Sequence, residues 1–476
     1  MMECYFRNSP KKSYVIRLTK ISINQCHKIV FILMMLMILI VLCSCHKEDQ
    51  RPNIVLITID TLRADHLTPY GYKRNTSPFL DKLAKESIIF KDAVSQCGST
   101  PQSLSSIMTG LYPYTDDLLI QNGPFWFLKK DNITLGQILR ERGYITHAIT
   151  SSIQSSASTG MELGFETFDG IHVGEDIEKS PRRIAEEITG LAVDWLTNRQ
   201  NRKKPFFLWL HYLDPHHPYK APGEFSKYFA EDEPKEKGVL KFYRFDEMQS
   251  KHYPLTDGEL LKLIVDYDRE IRYTDQSLEV LFKKALAGYL KNTLIIVTAD
   301  HGEALGNHNI ITHNDLYQTI LHVPLLVRLP GEHPRAGIVN NPVMLIDIFP
   351  TILDLLKIPL EKPVRGESLK PLLFSEGDHN YKRFRLAEYP EDQALFYEGT
   401  KLIARSNRRE LYDLKQDIYE SNDLIDTRPE VQTMMIERAS QLKHNARDYH
   451  HGSKDALPKV TPEMINELKA LGYITK

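Results

Sequence analysis

The chain has no surplus of basic residues: 60 Lys and Arg stand against 62 Asp and Glu, a net charge of −2 over 476 residues. Proteins that bind nucleic acid neutralise phosphates with clustered cations, so this balance argues against that class. Nor is there the acidic excess of a disordered chain. Cysteine is scarce. Five residues are too few for a disulfide scaffold. No apolar run reaches the ~20 residues of a spanning helix. What remains is an ordinary globular composition, 42% hydrophobic, 9% aromatic and 26% charged. The length allows roughly two to three domains.

The first residues depart from that average. Arg7, Lys11, Lys12, Arg17, Lys20 and Lys28 form a positive leader with no acid after Glu3, followed by an apolar run from Ile29 to Leu42. That run has the length of a signal-peptide core. It ends in Leu42-Cys43-Ser44-Cys45 and the polar stretch His46 to Gln50, which resembles a bacterial lipobox. The resemblance implies a signal peptide over residues 1–44, a lipid on Cys45 and a linker over 45–51. The expected location is the bacterial cell envelope, as a membrane-anchored lipoprotein facing the periplasm or exterior; the alternative is an uncleaved anchor. Only Cys97 then remains as a thiol, and no intrachain disulfide is expected.

Past Arg51 the pattern alternates. Asn53–Ile59, Pro205–His211 and Leu294–Ala299 are continuous apolar runs, the signature of strands buried on both faces of a parallel sheet. Helical patterns cover Ser77–Ile89, Thr134–Arg142, Ile184–Asn198 and Glu259–Ala287. Alternation of this kind predicts an α/β domain. Gly223–Asp257 is charged, aromatic and weakly periodic, and reads as a loop insertion. After about Phe374 the pattern shifts to short strands such as Lys401–Ala404, then to helical tails over Pro429–His444 and Pro462–Leu471. The expected division is a domain over 52–375 and a smaller subdomain over 376–476.

Chemistry-bearing residues gather where strands end, which is where open α/β sheets bind ligands. Asp60 ends the first strand, and Asp300-His301-Gly302-Glu303 ends a later one. A buried carboxylate needs a partner. Two of them with an imidazole suit a divalent cation; the alternative for each is a helix N-cap. Thr100-Pro101-Gln102-Ser103 opens a short helix closed by Thr109-Gly110. Thr100 reads equally as a cap or as a nucleophile facing the positive end of that helix. His211, His216 and His217 follow the third strand; His308, His313 and His322 follow Asp300. Several histidines at strand ends point to proton donation or oxyanion binding.

Taken in order, these segments resemble the sulfatase family of the alkaline-phosphatase superfamily. Asn53-Ile-Val-Leu-Ile-Thr-Ile-Asp60-Thr-Leu-Arg-Ala-Asp-His66 is similar to the family's opening. Ser103-Leu-Ser-Ser-Ile-Met-Thr109-Gly110-Leu-Tyr-Pro113 is similar to its nucleophile helix, and Thr298-Ala-Asp300-His301-Gly302-Glu303 to its second metal motif. Asp347-Ile-Phe-Pro-Thr, Arg365-Gly366-Glu-Ser-Leu369, Glu410-Leu-Tyr-Asp-Leu414 and Leu468-Lys-Ala-Leu-Gly-Tyr473 match later landmarks. The resemblance implies a mixed, mostly parallel sheet flanked by helices, with a smaller antiparallel C-terminal sheet. It implies one divalent cation held by Asp60, Asp300 and His301. By kinship that cation is Ca²⁺, with Mn²⁺, Mg²⁺ or Zn²⁺ as alternatives. It places Thr100 as the nucleophile, with His216 and His313 at the substrate.

The departures carry as much weight. Thr61 stands where the family often has a second aspartate. The formylglycine window reads Thr100-Pro101-Gln102-Ser103-Leu104; threonine cannot mature to formylglycine, so none is expected. The segment after Gly143-Tyr144 lacks the family's lysine, and Leu104 replaces its arginine. Thr100 with Asp60, Asp300 and His301 is similar to the single-metal set of the phosphoethanolamine and glycerol-phosphate transferases. The expectation is therefore a metal-dependent hydrolase of sulfate esters. Its alternatives are a phosphodiesterase, phosphonate hydrolase or phosphotransferase at Thr100, and a degenerate binder of anionic glycans. The expected partner is a sulfated or phosphorylated glycan, lipid or small-molecule ester, and no nucleic acid.

Overall fold

The structure, a computed structural model, describes residues 51–171, 182–199, 203–235, 255–375 and 382–444, with a few isolated positions elsewhere. The expected signal peptide, Cys45, most of the Gly223–Asp257 insertion and most of the Pro462–Leu471 tail lie outside the described residues. Arg51–Lys476 forms one compact unit. No helix among the described residues is long and apolar enough to cross a membrane.

Fourteen strands are described: β1 (Asn53–Ile59), β2 (Ile88–Val94), β3 (Leu119–Asn122), β4 (Phe125–Leu128), β5 (Ile145–Thr150), β6 (Thr167–Asp169), β7 (Phe206–Tyr212), β8 (Thr293–Ala299), β9 (His322–Arg328), β10 (Gly337–Met344), β11 (Arg385–Tyr389), β12 (Asp392–Tyr397), β13 (Thr400–Ala404) and β14 (Arg409–Asp413). Eight form one sheet in the order β10-β2-β9-β8-β1-β7-β5-β6. Only β9 runs antiparallel to its neighbours. In β1, β7 and β8 every residue is buried, which is why their sequences are continuous apolar runs rather than alternating ones.

Helices cover the sheet. Thr134 and Thr256 cap theirs, at Leu135–Glu141 and Asp257–Leu281, through reciprocal contacts with Gln137 and Glu259. The helix expected over Ser77–Ile89 spans only Pro78–Ala84. Ile88 and Ile89 instead open β2, paired to Val327 and Leu326 of β9. The Ser87 hydroxyl donates to the Leu83 carbonyl at 2.7 Å and the chain turns there. Two β-branched residues and a phenylalanine gain more from a buried sheet position than from another helical turn.

β11 to β14 form a separate antiparallel sheet within the same unit. Its alternating residues serve two cores. Ala387, Ala394, Phe396 and Ile403 meet Val94, Leu316 and Leu321, while Leu386, Leu395, Leu402 and Leu411 meet Tyr112, Ile346 and Met435. Val94 ends β2, Tyr112 and Leu316 lie in loops, and Ile346 lies in a short 3-10 helix after β10, so the small sheet braces those segments.

Candidate active site at the carboxyl ends of the central strands

Register brings the site together. Thr58 of β1 lies opposite both Thr298 of β8 and His211 of β7. Asp60 and Asp300, each just beyond its strand, are therefore neighbours at about one strand spacing, ~4.8 Å. Both are buried, at 1% and 0% exposure. Asp300 Oδ1 accepts from the His301 amide at 2.8 Å and the Thr61 amide at 3.3 Å. Asp300 Oδ2 and Asp60 Oδ1 have no hydrogen-bond partner among the described residues. His301 Nε2 lies 3.7 Å from Asp60 Oδ1 and 3.6 Å from Asp300 Oδ2. Its Nδ1 donates to the Gly302 carbonyl at 2.9 Å, which leaves Nε2 as a lone pair in the neutral ring.

Two orphaned carboxylate oxygens and one imidazole lone pair, converging at buried residues, fit a divalent cation. Ligand atoms of Asp60, Asp300 and His301 all lie within 4.8 Å of one another. Electrostatics agree. Burial, then the charge of Asp60, pushes the Asp300 carboxyl up to about 6. Burial opposes ionisation of Asp60 too, but its contact with His211 and the fields of His216 and His301 hold it well below the usual range. His301 is raised, against burial, by Asp300 and Asp60. One negative charge too many is crowded here, and a dication would compensate it.

Thr100 stands in the first turn of the Thr100–Thr109 helix, and Ser99 occupies the cap position, so Thr100 is not the cap. Its Oγ1 is 3.4 Å from Asp60 Oδ2 and 3.3 Å from His301 Nε2. The helix is bolted in place. Ser95 and Ser103 both donate to the Asp300 carbonyl, at 2.5 and 2.6 Å. At its other end Gly110 takes a left-handed φ of 73°, with the Phe349 ring against it. Gly302 is required for a different reason: a Cβ there would collide with the Thr319 carbonyl oxygen.

Of the histidines singled out in the sequence, four join the site. His313 lies 4.6 Å from His301 and 5.2 Å from His216, ring centre to ring centre. His216 Nδ1 donates to the His217 carbonyl at 2.6 Å. Burial lowers His216 to about 4 and His313 to about 3, so both rings are neutral at pH 7. His211 Nδ1 pairs with Thr58 Oγ1 at 2.9 Å, and its Nε2 faces Asp60 Oδ2 at 3.6 Å. His217 sits beside Tyr219. His308 stacks on Tyr317, and His322 contacts the Lys91 carbonyl; neither is in the cluster. Cys97 is buried and its thiol is pushed well up by burial, so it is no rival nucleophile.

Glu303 is the residue that pattern reading passed over, although it stands in the quoted Asp300–Glu303 motif. It is fully buried, 3.3 Å from His313 Nδ1 and 3.0 Å from the Tyr219 hydroxyl. Burial pushes it up to about 7, so this carboxyl is protonated in part near neutral pH.

The family model described as Sulfatase matches residues 52–358. The chain belongs to the sulfatase family. A second model, N-sulphoglucosamine sulphohydrolase, C-terminal, matches residues 306–448. The chain is 24% identical over 462 residues to an ulvan-active sulfatase of Formosa agariphila, covering 85% of this chain and 84% of that one. In fold it is similar to a protein solved with its substrate D-glucosamine-2-N,6-O-disulfate, with TM-score 0.68, 20% identity, and 85% and 100% of the two chains covered. It is equally similar to a phosphonate monoester hydrolase of Agrobacterium radiobacter, with TM-score 0.66, 20% identity, and 83% and 96% covered. The implied architecture, a mixed sheet with a smaller antiparallel sheet, is the one observed.

The crowded carboxylates generate an opposed pair of outcomes. Asp300→Asn removes one charge. In chelator it should melt above the parent, because an uncompensated buried charge is gone. In Mn²⁺, Zn²⁺ or Ca²⁺ the order should reverse, with ion affinity down at least about 100-fold. Calorimetric melting with and without ion checks both. A variant less stable than the parent in chelator, with unchanged ion affinity, would remove Asp300 from the ligand set.

Proposed function

We propose that this sulfatase-family protein hydrolyses sulfate esters of acidic glycans or related small molecules, with Thr100 as nucleophile and one divalent cation held by Asp60, Asp300 and His301. The observation that carries this reading is the hydroxyl of Thr100, at a helix N-terminus and 3.3–3.4 Å from two of the three ligand residues. A cation bound there would act as a Lewis acid on the Thr100 hydroxyl and on one ester oxygen.

The chain's own groups supply the rest. Thr100 Oγ1, its proton released to solvent because a cation bound beside it would favour the alkoxide, attacks the sulfur in line, and the ester oxygen leaves. Because the His313 ring is neutral and Glu303 holds a proton, the Glu303 hydroxyl donates to His313 Nδ1 and Nε2 carries the hydrogen. That Nε2 proton passes to the departing oxygen while the Glu303 proton moves onto Nδ1. His216, its Nδ1 committed to the His217 carbonyl, presents Nε2 as a base for the water that releases the group from Thr100. The two histidines thus divide base and acid roles rather than sharing the acid role.

One observation favours a second reading. Thr100 has a single hydroxyl and lacks the geminal one by which formylglycine expels sulfate, so phosphorus is the easier centre for it to release. A phosphodiester or phosphonate ester would then be the substrate, with the same residues in the same roles. The identity of the cation belongs to the same question, since two carboxylates and an imidazole suit Mn²⁺ or Zn²⁺ as well as Ca²⁺.

Protein from Arg51 onward, tested with each ion on aryl sulfate, aryl phosphodiester and aryl phosphonate, separates these readings. Thr100→Ala should lose at least about 10³-fold in kcat, while Thr100→Ser keeps measurable turnover. Full activity in Thr100→Ala would refute the nucleophile. Turnover of phosphorus esters alone would replace the sulfate reading. Glu303 sets the sign of the pH profile: its protonated form is the competent one, so kcat falls as pH rises through about 7. Glu303→Gln should lower kcat and erase that limb; an unchanged limb would exclude the relay.

We also propose that the protein is a lipoprotein of the bacterial cell envelope, anchored through Cys45. The support is the ordered leader, apolar run and Leu42-Cys43-Ser44-Cys45 motif. Cys45→Ser should move the protein from the membrane fraction to the soluble one, or leave it unprocessed. A processed, membrane-bound Cys45→Ser protein would contradict the anchor.

A further inference from the structure

The chain leaves the central sheet at Asp60 in a conformation that few residues adopt. The Asp60 amide still donates to the Tyr212 carbonyl at 2.9 Å, a further rung of the β1–β7 ladder. The next residue, Thr61, is fully buried and takes a left-handed φ of 53°. A β-branched side chain is poorly suited to that region, and such a residue persists only where its surroundings enforce it. Its own hydroxyl does not: Thr61 Oγ1 has no hydrogen-bond partner among the described residues.

The enforcement comes from a distant helix. Tyr267, fully buried in the Asp257–Leu281 helix, donates its hydroxyl hydrogen to the Thr61 carbonyl at 2.7 Å and accepts from the Arg63 amide at 2.9 Å. One oxygen thus bridges the two peptide groups that flank Leu62 and closes the turn. The ring is wedged between His66 and Tyr219, with ring centres 5.1 and 5.5 Å away. His66 is fixed in turn by Asp268, whose Oδ1 lies 2.7 Å from its Nδ1.

Arg63 carries the constraint to the second loop. Its Nη1 donates to the Glu303 and Ala304 carbonyls at 3.1 and 3.3 Å, while Nε and Nη2 grip Asp65 at 2.9 and 2.7 Å. The Thr61 amide adds a third link, to Asp300 Oδ1. Gly302 leaves room for this crossing: a Cβ there would stand 3.2 Å from Arg63 Cγ. Two like charges at one strand spacing repel, and each loop alone would let its carboxylate swing away. The bridge through Tyr267 and Arg63 acts against that separation.

We propose that Tyr267 and Arg63 are positioning residues for the cation site. The Tyr267 hydroxyl locks the left-handed turn that aims Asp60. Arg63 ties that turn to the Asp300–Ala304 loop, so the two carboxylates are held at ligand spacing before an ion arrives. This rests on the cation-site reading above and goes beyond it, by adding two residues that act through the backbone of the ligand loops.

Tyr267→Phe removes the hydroxyl and keeps the ring. Mn²⁺ is titrated by calorimetry into protein purified as expressed, in mild detergent and stripped with chelator. Tyr267→Phe should bind Mn²⁺ about 10- to 100-fold more weakly than the parent, the usual range when a group behind a metal ligand is lost. Thr61→Gly added to Tyr267→Phe should recover part of that loss, because glycine takes a left-handed φ without being forced. A role in general stability does not predict that recovery. Arg63→Lys keeps the charge but not the fork, and should also weaken Mn²⁺ by about 10-fold or more. Melting curves verify that each variant folds; if Tyr267→Phe does not, unchanged Mn²⁺ affinity in Arg63→Lys overturns the proposal in its place. Unchanged affinity in folded Tyr267→Phe, or a loss that Thr61→Gly leaves untouched, would overturn the positioning role and leave the cation site intact. A parent that binds no Mn²⁺, Zn²⁺ or Ca²⁺ would overturn both.

Discussion

Two carboxylates at the ends of adjacent parallel strands dominate this molecule. Asp60 and Asp300 are buried, side by side and each short of a hydrogen bond. Removing such an ion from water costs several kcal/mol even after relaxation. The fold tolerates that because β1, β7 and β8 are buried along their whole length, and each buried Val, Leu or Ile contributes about 1.5–3 kcal/mol. Everything around the pair follows from the need to compensate it. His301 and His211 face the oxygens, a dipole-bearing helix points its first turn at them, and Ser95 and Ser103 hold that helix to the Asp300 carbonyl. A dication would complete the arrangement and give the crowded charge a use.

The same burial sets the protonation of the surrounding groups. Desolvation pushes the histidines toward neutrality and Glu303 toward its protonated form. In the proposed mechanism, acid and base roles would thus be assigned by environment rather than by residue type. His216 and His313 are chemically identical, yet a backbone carbonyl fixes one and a protonated carboxyl the other.

Much of this was legible before any coordinates. The three central strands are unbroken apolar runs, and buried strands cannot be written otherwise. Asp60, Asp300, His301 and Thr100 stood at strand or helix ends, where ligand sites form. The Pro429–His444 helix was readable to its bounds. β2 was not, because Ile88 and Ile89 also continue the periodicity of the preceding helix. Only pairing with β9 and β10 decides between the two. The role of Glu303 and the partners of His211 were hidden for another reason. Both depend on which strand lies beside which, and strand order is a long-range property that a local window does not contain. His308 and His322 were flagged by residue type, but the chain carries both away from the carboxylates.

The central claim is that the Asp60–Asp300 pair exists to hold a cation beside Thr100. Anomalous diffraction from crystals grown with Mn²⁺ or Zn²⁺ tests it most directly. The account predicts one strong peak within ligand distance of Asp60, Asp300 and His301, with the Thr100 hydroxyl beside it. A crystal with no peak there, and with Asp60 Oδ1 and Asp300 Oδ2 satisfied by water or by each other through a shared proton, would contradict it.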